Sequence, residues 1–137
     1  DNSQALEALP LSTEADVAVC TLIPGQMLAH TARTLRDTTA RALILQSYGH
    51  GNAPSDAEFI AAVAAYTQRG GLLLNISQVA QGCAAAVYAQ GSALRQAGAV
   101  SGGKCNLETA TALLTLAVSQ NATADQLAQH LNALGLA

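Results

Sequence analysis

The stretches RALILQS (residues 41–47) and GLLLNIS (71–77) decide the fold. Each has an apolar run at its centre and ends in polar residues. A run that is apolar on both faces suits a strand buried on both sides, which is the habit of parallel sheets. Between them, Phe59, Val63 and Tyr66 recur on one helical face, Ser55 and Glu58 form a candidate capping box, and Gly70 suits a helix exit. Strand, amphipathic helix, strand is a βαβ unit, and it predicts a parallel sheet.

The same alternation extends in both directions. DVAVCTL (16–22) reads as an earlier strand, and PGQMLAHTARTLRD (24–37) carries Leu28, Thr31, Ala32 and Leu35 at helical spacing. Downstream, 78–90 has no regular period, SALRQAG (92–98) suggests a short helix, and AVS (99–101) a short fourth strand. Asn106 then caps a helix with Leu107, Ala110, Leu113, Leu114, Ala117 and Val118 inward. Thr123 and Gln126 make a capping box for a last helix with Leu127, Leu131 and Leu134 inward, ended by Gly135. The class is α/β: a three-layer sandwich with right-handed crossovers. Residues 1–14, DNSQALEALPLSTE, lack a period and contain Pro10. They read as a linker or docking arm from a preceding domain, and 15–137 as one α/β domain.

Composition narrows the function. The 137 residues suffice for one domain with a real core. Half are apolar and few are charged, which argues against disorder. A formal charge of −3 without a Lys/Arg cluster argues against nucleic acid and against an anionic membrane. No apolar run has the length of a membrane span. Cys20, Cys83 and Cys105 are an odd number at irregular spacing, which fits neither a disulfide framework nor a zinc site. The expectation is a reduced, intracellular chain.

Chemistry is expected at the carboxyl ends of the strands, where open parallel sheets bind ligands. One strand ends in Gln46-Ser47-Tyr48 and the next in Ser77-Gln78. Gly49 and Gly51 permit positive φ in the connection QSYGHGNAPSD (46–56), and Asn52 offers both a donor and an acceptor. The plainer alternative is a strand-to-helix connection whose glycines only turn the chain. His50 has no second ligand at metal spacing, and His30 and His130 fall on helices as surface or half-buried residues. GGK at 102–104 lacks the other elements of a phosphate-binding loop. Asn75-Ile76-Ser77 and Asn121-Ala122-Thr123 match the glycosylation sequon, but the first falls in a buried strand. No nucleophile, base and orienter come together, so the chain reads as a binding or assembly domain.

RALILQSYGHGNAPSDAEFI, RGGLLLNISQVAQG, YAQGSALRQAG and NLETATALLTLAVSQ, in that order, resemble the C-terminal domain of bacterial type I L-asparaginases. The similarity runs from about Asp16 into the last helix. Y-G-x-G-N-A-P followed by N-[IL]-[ST]-Q is much more specific than a lone glycine loop. The resemblance implies a flavodoxin-like domain with a mainly parallel sheet of about four strands, serving amino-acid metabolism in the cytoplasm. Family members are amidohydrolases that convert asparagine to aspartate and ammonia with threonine nucleophiles in an N-terminal domain. Those signatures, of T-G-G-T and T-D-T-x-E type, are absent from this sequence. No catalytic residue, metal or cofactor is therefore expected in this chain, and alone it should be inactive.

The expected partners are the chain's own N-terminal catalytic domain, a second subunit in a homodimer or dimer of dimers, and L-asparagine in the intact enzyme. The resemblance makes Asn52 the residue that reaches across to complete the neighbouring subunit's site. It also implies an allosteric asparagine site at Gln46, Tyr48, Gly49, Gly51, Ser77, Val79 and Leu107. The sequence departs from that pattern: a regulated relative has arginine where Gln46 stands and cysteine where Val79 stands. Without the bidentate guanidinium, allosteric asparagine binding is expected to be weak or absent. Two rivals are a stand-alone flavodoxin-like sensing or interaction module, and an ammonia-producing amidotransferase subunit.

Overall fold

A computed structural model describes residues 16–22, 28–47, 57–77, 93–103 and 105–136. Among them, four strands form one sheet in the order β1-β2-β3-β4, with every neighbouring pair parallel. β1 is Val17–Leu22, β2 Ala42–Ser47, β3 Leu72–Ser77 and β4 Val100–Ser101. Helix α1 (Leu28–Asp37) lies in the chain between β1 and β2, and α2 (Ala57–Gln68) between β2 and β3. A single helical turn at 93–96 precedes β4, and α3 (Leu107–Ser119) and α4 (Ala124–Ala133) close the chain.

The two apolar strands earn their place by alternation. Leu43, Leu45 and Leu73 pack on one face with Ala32 and Leu35 of α1 and with Phe59, Ala62, Val63 and Tyr66 of α2. Ala42, Ile44, Leu72, Leu74 and Ile76 pack on the other face with Ala110, Leu113, Leu114, Ala117 and Val118 of α3 and with Leu127 and Leu131 of α4. Successive side chains of one strand thus feed two separate cores, and a purely apolar run is what that requires. The expected three-layer α/β sandwich, with a parallel four-stranded sheet, is the observed one.

The expected helix signals hold where they fall on described residues. The Asn106 side chain accepts from the Thr109 amide at 2.8 Å, and the reciprocal Thr123–Gln126 capping box forms with bonds of 3.1 and 2.9 Å. Ser55 of the other proposed box lies outside the described residues, as does the segment 1–14. One inward assignment is corrected. Leu134 sits at the C-cap of α4 and is 52% exposed, because the helix ends at Ala133, before that turn can face the core.

The end of the sheet where the strands begin is tied down by side chains. The buried Tyr66 hydroxyl donates to the Ala40 carbonyl at 2.8 Å. Arg69 donates to the carbonyls of Leu35 and Thr38 at the exit of α1, and its guanidinium lies 5.0 Å from the Tyr66 ring centroid. Gly71 lets the chain turn beneath that ring, since a Cβ there would sit 2.4 Å from Tyr66 Cε2. Arg41 donates to the Asn121 side chain, joining the start of β2 to the turn between α3 and α4.

Candidate site at the carboxyl rim of the sheet

Register brings the strand ends to one level. Leu22, Ser47 and Ser77 are paired across β1, β2 and β3, and one residue below them lie Thr21, Gln46 and Ile76. After Ser101 the chain turns at this same rim: the Gly102 amide donates to the Asn75 carbonyl at 2.9 Å, and the Cys105 amide to the Gly102 carbonyl at 2.8 Å. A Cβ on Gly102 would lie 2.8 Å from Leu74 Cδ1, so glycine lets the backbone pass over the strand here. Helix α3 starts at the rim and ends at the opposite pole, where Asn121 meets Arg41. Its positive N-terminal end, capped by Asn106, therefore belongs to the rim.

Gln46 is the buried polar side chain of the described residues, at 5% exposure. By strand alternation it shares the face of Ala42 and Ile44, which is the face α3 covers. Leu107, the first residue of α3, packs partly buried against that same apolar cluster. The structure thus places Gln46 and Leu107 on one face at one rim, with Ser77 ending the adjacent strand. Tyr48, Gly49, Gly51, Asn52 and Val79 lie outside the described residues. Asn52 belongs to the connection from Ser47, the last residue of β2, to Ala57, the first of α2.

A buried polar atom that sequence reasoning passed over is Asn75 Oδ1, which has no hydrogen-bond donor among the described residues. Its strand partners are Leu45 and Ser101, and alternation puts it on the α1–α2 face, opposite Gln46. The signal is a carboxamide inside a run of Leu and Ile; it stands above in a sequon and in the N-[IL]-[ST]-Q motif, and neither use concerns its burial.

Chemically the rim offers amides, hydroxyls and a helix N-terminus. Burial pushes the thiols of Cys20 and Cys105 above their ordinary pKa, which leaves them protonated and poor nucleophiles. Among the described residues no three His, Cys, Asp or Glu side chains converge as a metal site would need. His30 and His130 are exposed on α1 and α4. No helix of the described residues is long and apolar enough to cross a membrane.

Comparison with known proteins gives a consistent picture. The family model of the glutaminase/asparaginase C-terminal domain matches residues 16–131. The chain is 33% identical over 109 residues to L-asparaginase 1 of Escherichia coli (strain K12), a match covering 79% of this chain and 32% of that protein. A 60 kDa lysophospholipase of Homo sapiens is 29% identical over 109 residues, covering 80% of this chain and 19% of the relative. Among solved structures, L-asparaginase I from Vibrio cholerae superposes with a TM-score of 0.65 at 30% identity, covering 85% of this chain and 34% of that one. The chain spans about a fifth to a third of the length of these relatives.

Proposed function

Because the chain belongs to the glutaminase/asparaginase C-terminal domain family, we propose that it is the non-catalytic domain of a cytoplasmic L-asparaginase. In that enzyme L-asparagine is hydrolysed to aspartate and ammonia, and this domain supports subunit assembly and completes a neighbouring subunit's active site through Asn52. The observation that carries the reading is the polarity of the sheet. One pole is held closed by Tyr66, Arg69 and Arg41, while the carboxyl rim holds Gln46 and the start of α3, and the chain leaves β2 there at Ser47, five residues before Asn52. A carboxamide on a connection at that rim suits orientation of a polar substrate and has no acid, base or nucleophilic role.

Relatives that match this domain are named for two different activities, asparaginase and lysophospholipase. A domain common to both is a poor place for the bond-breaking groups, which supports seating them in the remainder of the longer protein. Two measurements test the proposal. The 137-residue chain should release no ammonia from asparagine at any concentration; turnover that scales with the chain and survives repurification would refute it. In the complete gene product, Asn52→Ala should lower kcat far more than it lowers Tm, and equal losses would make the connection merely structural.

A further inference from the structure

The sheet has two edges, and they are treated differently. β4 is only two residues long, a length that blunts its edge. β1 runs for six residues in unbroken register with β2, from Val17 opposite Ala42 to Leu22 opposite Ser47. Its sequence VAVCTL has no lysine, proline or bulge, the usual devices that keep an open edge from pairing. Cover over it is also one-sided. Ala18, Cys20 and Leu22 pack into the α1–α2 core. On the other face Val17 is only partly buried, Val19 is 47% exposed and Thr21 is exposed, while α3 lies mainly over β2 and β3. Parallel sheets are ordinarily covered on both faces, and among the described residues this face of the outer strand is left open over Val19 and Thr21.

We infer that the Val19–Thr21 face of β1 is the docking surface for the preceding domain of the same polypeptide. This rests on the reading that the chain is the C-terminal part of an asparaginase. Two observations select that occupant. The relatives matched here are three to five times as long as the segment they share with this chain, so most of such a protein lies outside this domain. In addition, β1 is the first strand among the described residues, so a preceding domain would be tethered near the strand that these residues leave open on one face. The surface carries a valine and a threonine and no charge, which suits an apolar, closely packed interdomain contact over an electrostatic one.

The test compares the complete gene product with the 137-residue chain by hydroxyl-radical footprinting. Val19 should be modified severalfold more slowly in the complete protein, and Val19→Asp should lower the Tm of the complete protein by clearly more than it lowers that of the short chain, where only the strand preference is lost. Equal Val19 reactivity in both, with equal effects of Val19→Asp, would overturn the inference while leaving the asparaginase reading intact. Protection of Val19 in the short chain that rises with its concentration would also overturn it, since the occupant would then be a second copy. A gene with no domain upstream of this one would refute the underlying reading and the inference together, an outcome recognisable from the coding sequence before any footprint is taken.

Discussion

Replacing Asn75 by valine should stabilise the 137-residue chain. The Asn75 Oδ1 atom is buried with no donor among the described residues, on a strand whose other members are Leu72, Leu73, Leu74, Ile76 and Ser77. An unpaired buried polar group costs about 1–3 kcal/mol. Asparagine is also poorly suited to a strand and valine well suited, on a scale that spans roughly 1 kcal/mol. The side chain as a whole is only partly buried, with exposed Ser101 beside it, so the lower half of the first range applies and the extra bulk of valine has room. The net gain should be about 1–2 kcal/mol, against a total stability of roughly 5–15 kcal/mol for a domain. For a chain of this size that raises Tm by about 3–8 °C. Urea unfolding followed by circular dichroism should show a higher midpoint with an unchanged m-value. A variant that loses 1 kcal/mol or more, by the order of magnitude expected for a broken hydrogen bond, would refute the reasoning by showing that Oδ1 has a donor in solution.

Gly71→Ala should destabilise by about 1–3 kcal/mol, the range for forced overpacking. Its Cβ would meet the Tyr66 ring at 2.4–2.7 Å, and that ring is held by its own bond to Ala40, so a neutral result in thermal unfolding would contradict the packing. Tyr66→Phe should cost about 0.5–1.5 kcal/mol by removing that bond. Burial, the larger influence, pushes the Tyr66 hydroxyl up to about 12; Arg69 opposes the rise. The unfolded chain therefore loses this proton first as pH climbs. The contribution is whole below about pH 10 and disappears as pH rises toward 12. Tyr66→Phe should flatten that alkaline loss, and an unchanged slope would assign it elsewhere. If the asparaginase reading holds, calorimetric titration of the complete gene product should find no tight second asparagine site at the rim. The resemblance puts Gln46 where a regulated relative has a carboxylate-gripping arginine, a change that would forfeit about 1.5–3 kcal/mol, or roughly tenfold to a hundredfold in affinity; a tight second site would refute this.

How much of this was legible in the sequence depended on whether the cause was local. RALILQS and GLLLNIS announce doubly buried strands by themselves, and Asn106 and Thr123 announce helix starts, because each signal is complete within a few residues. The assignment of Leu134 failed because heptad-like spacing runs past the point where the helix stops. Tyr66 reaching Ala40, and Arg69 reaching Leu35, depend on two βα units meeting, and no periodicity encodes that. Gln46 is legible in the sequence as a polar strand-end residue, and the structure adds that its side chain is buried. That Asn75 and Gln46 face opposite sides of the sheet follows only from register, which fixes each side chain's face by one residue's offset.

The strand order has a consequence for how such a chain is made. With β1, β2, β3 and β4 side by side in chain order, each strand can join the last one formed as synthesis proceeds, closing one crossover connection at a time. The two helices between them reach their face early. The opposite face must wait for α3 and α4, the last two elements. Until the ribosome releases them, Ile44, Leu74 and Ile76 lie bare on a three-stranded sheet. A truncation after β4, or a pause in translation there, would leave a sticky half-sandwich. For this domain α3 and α4 are the elements that turn an open apolar sheet face into a core.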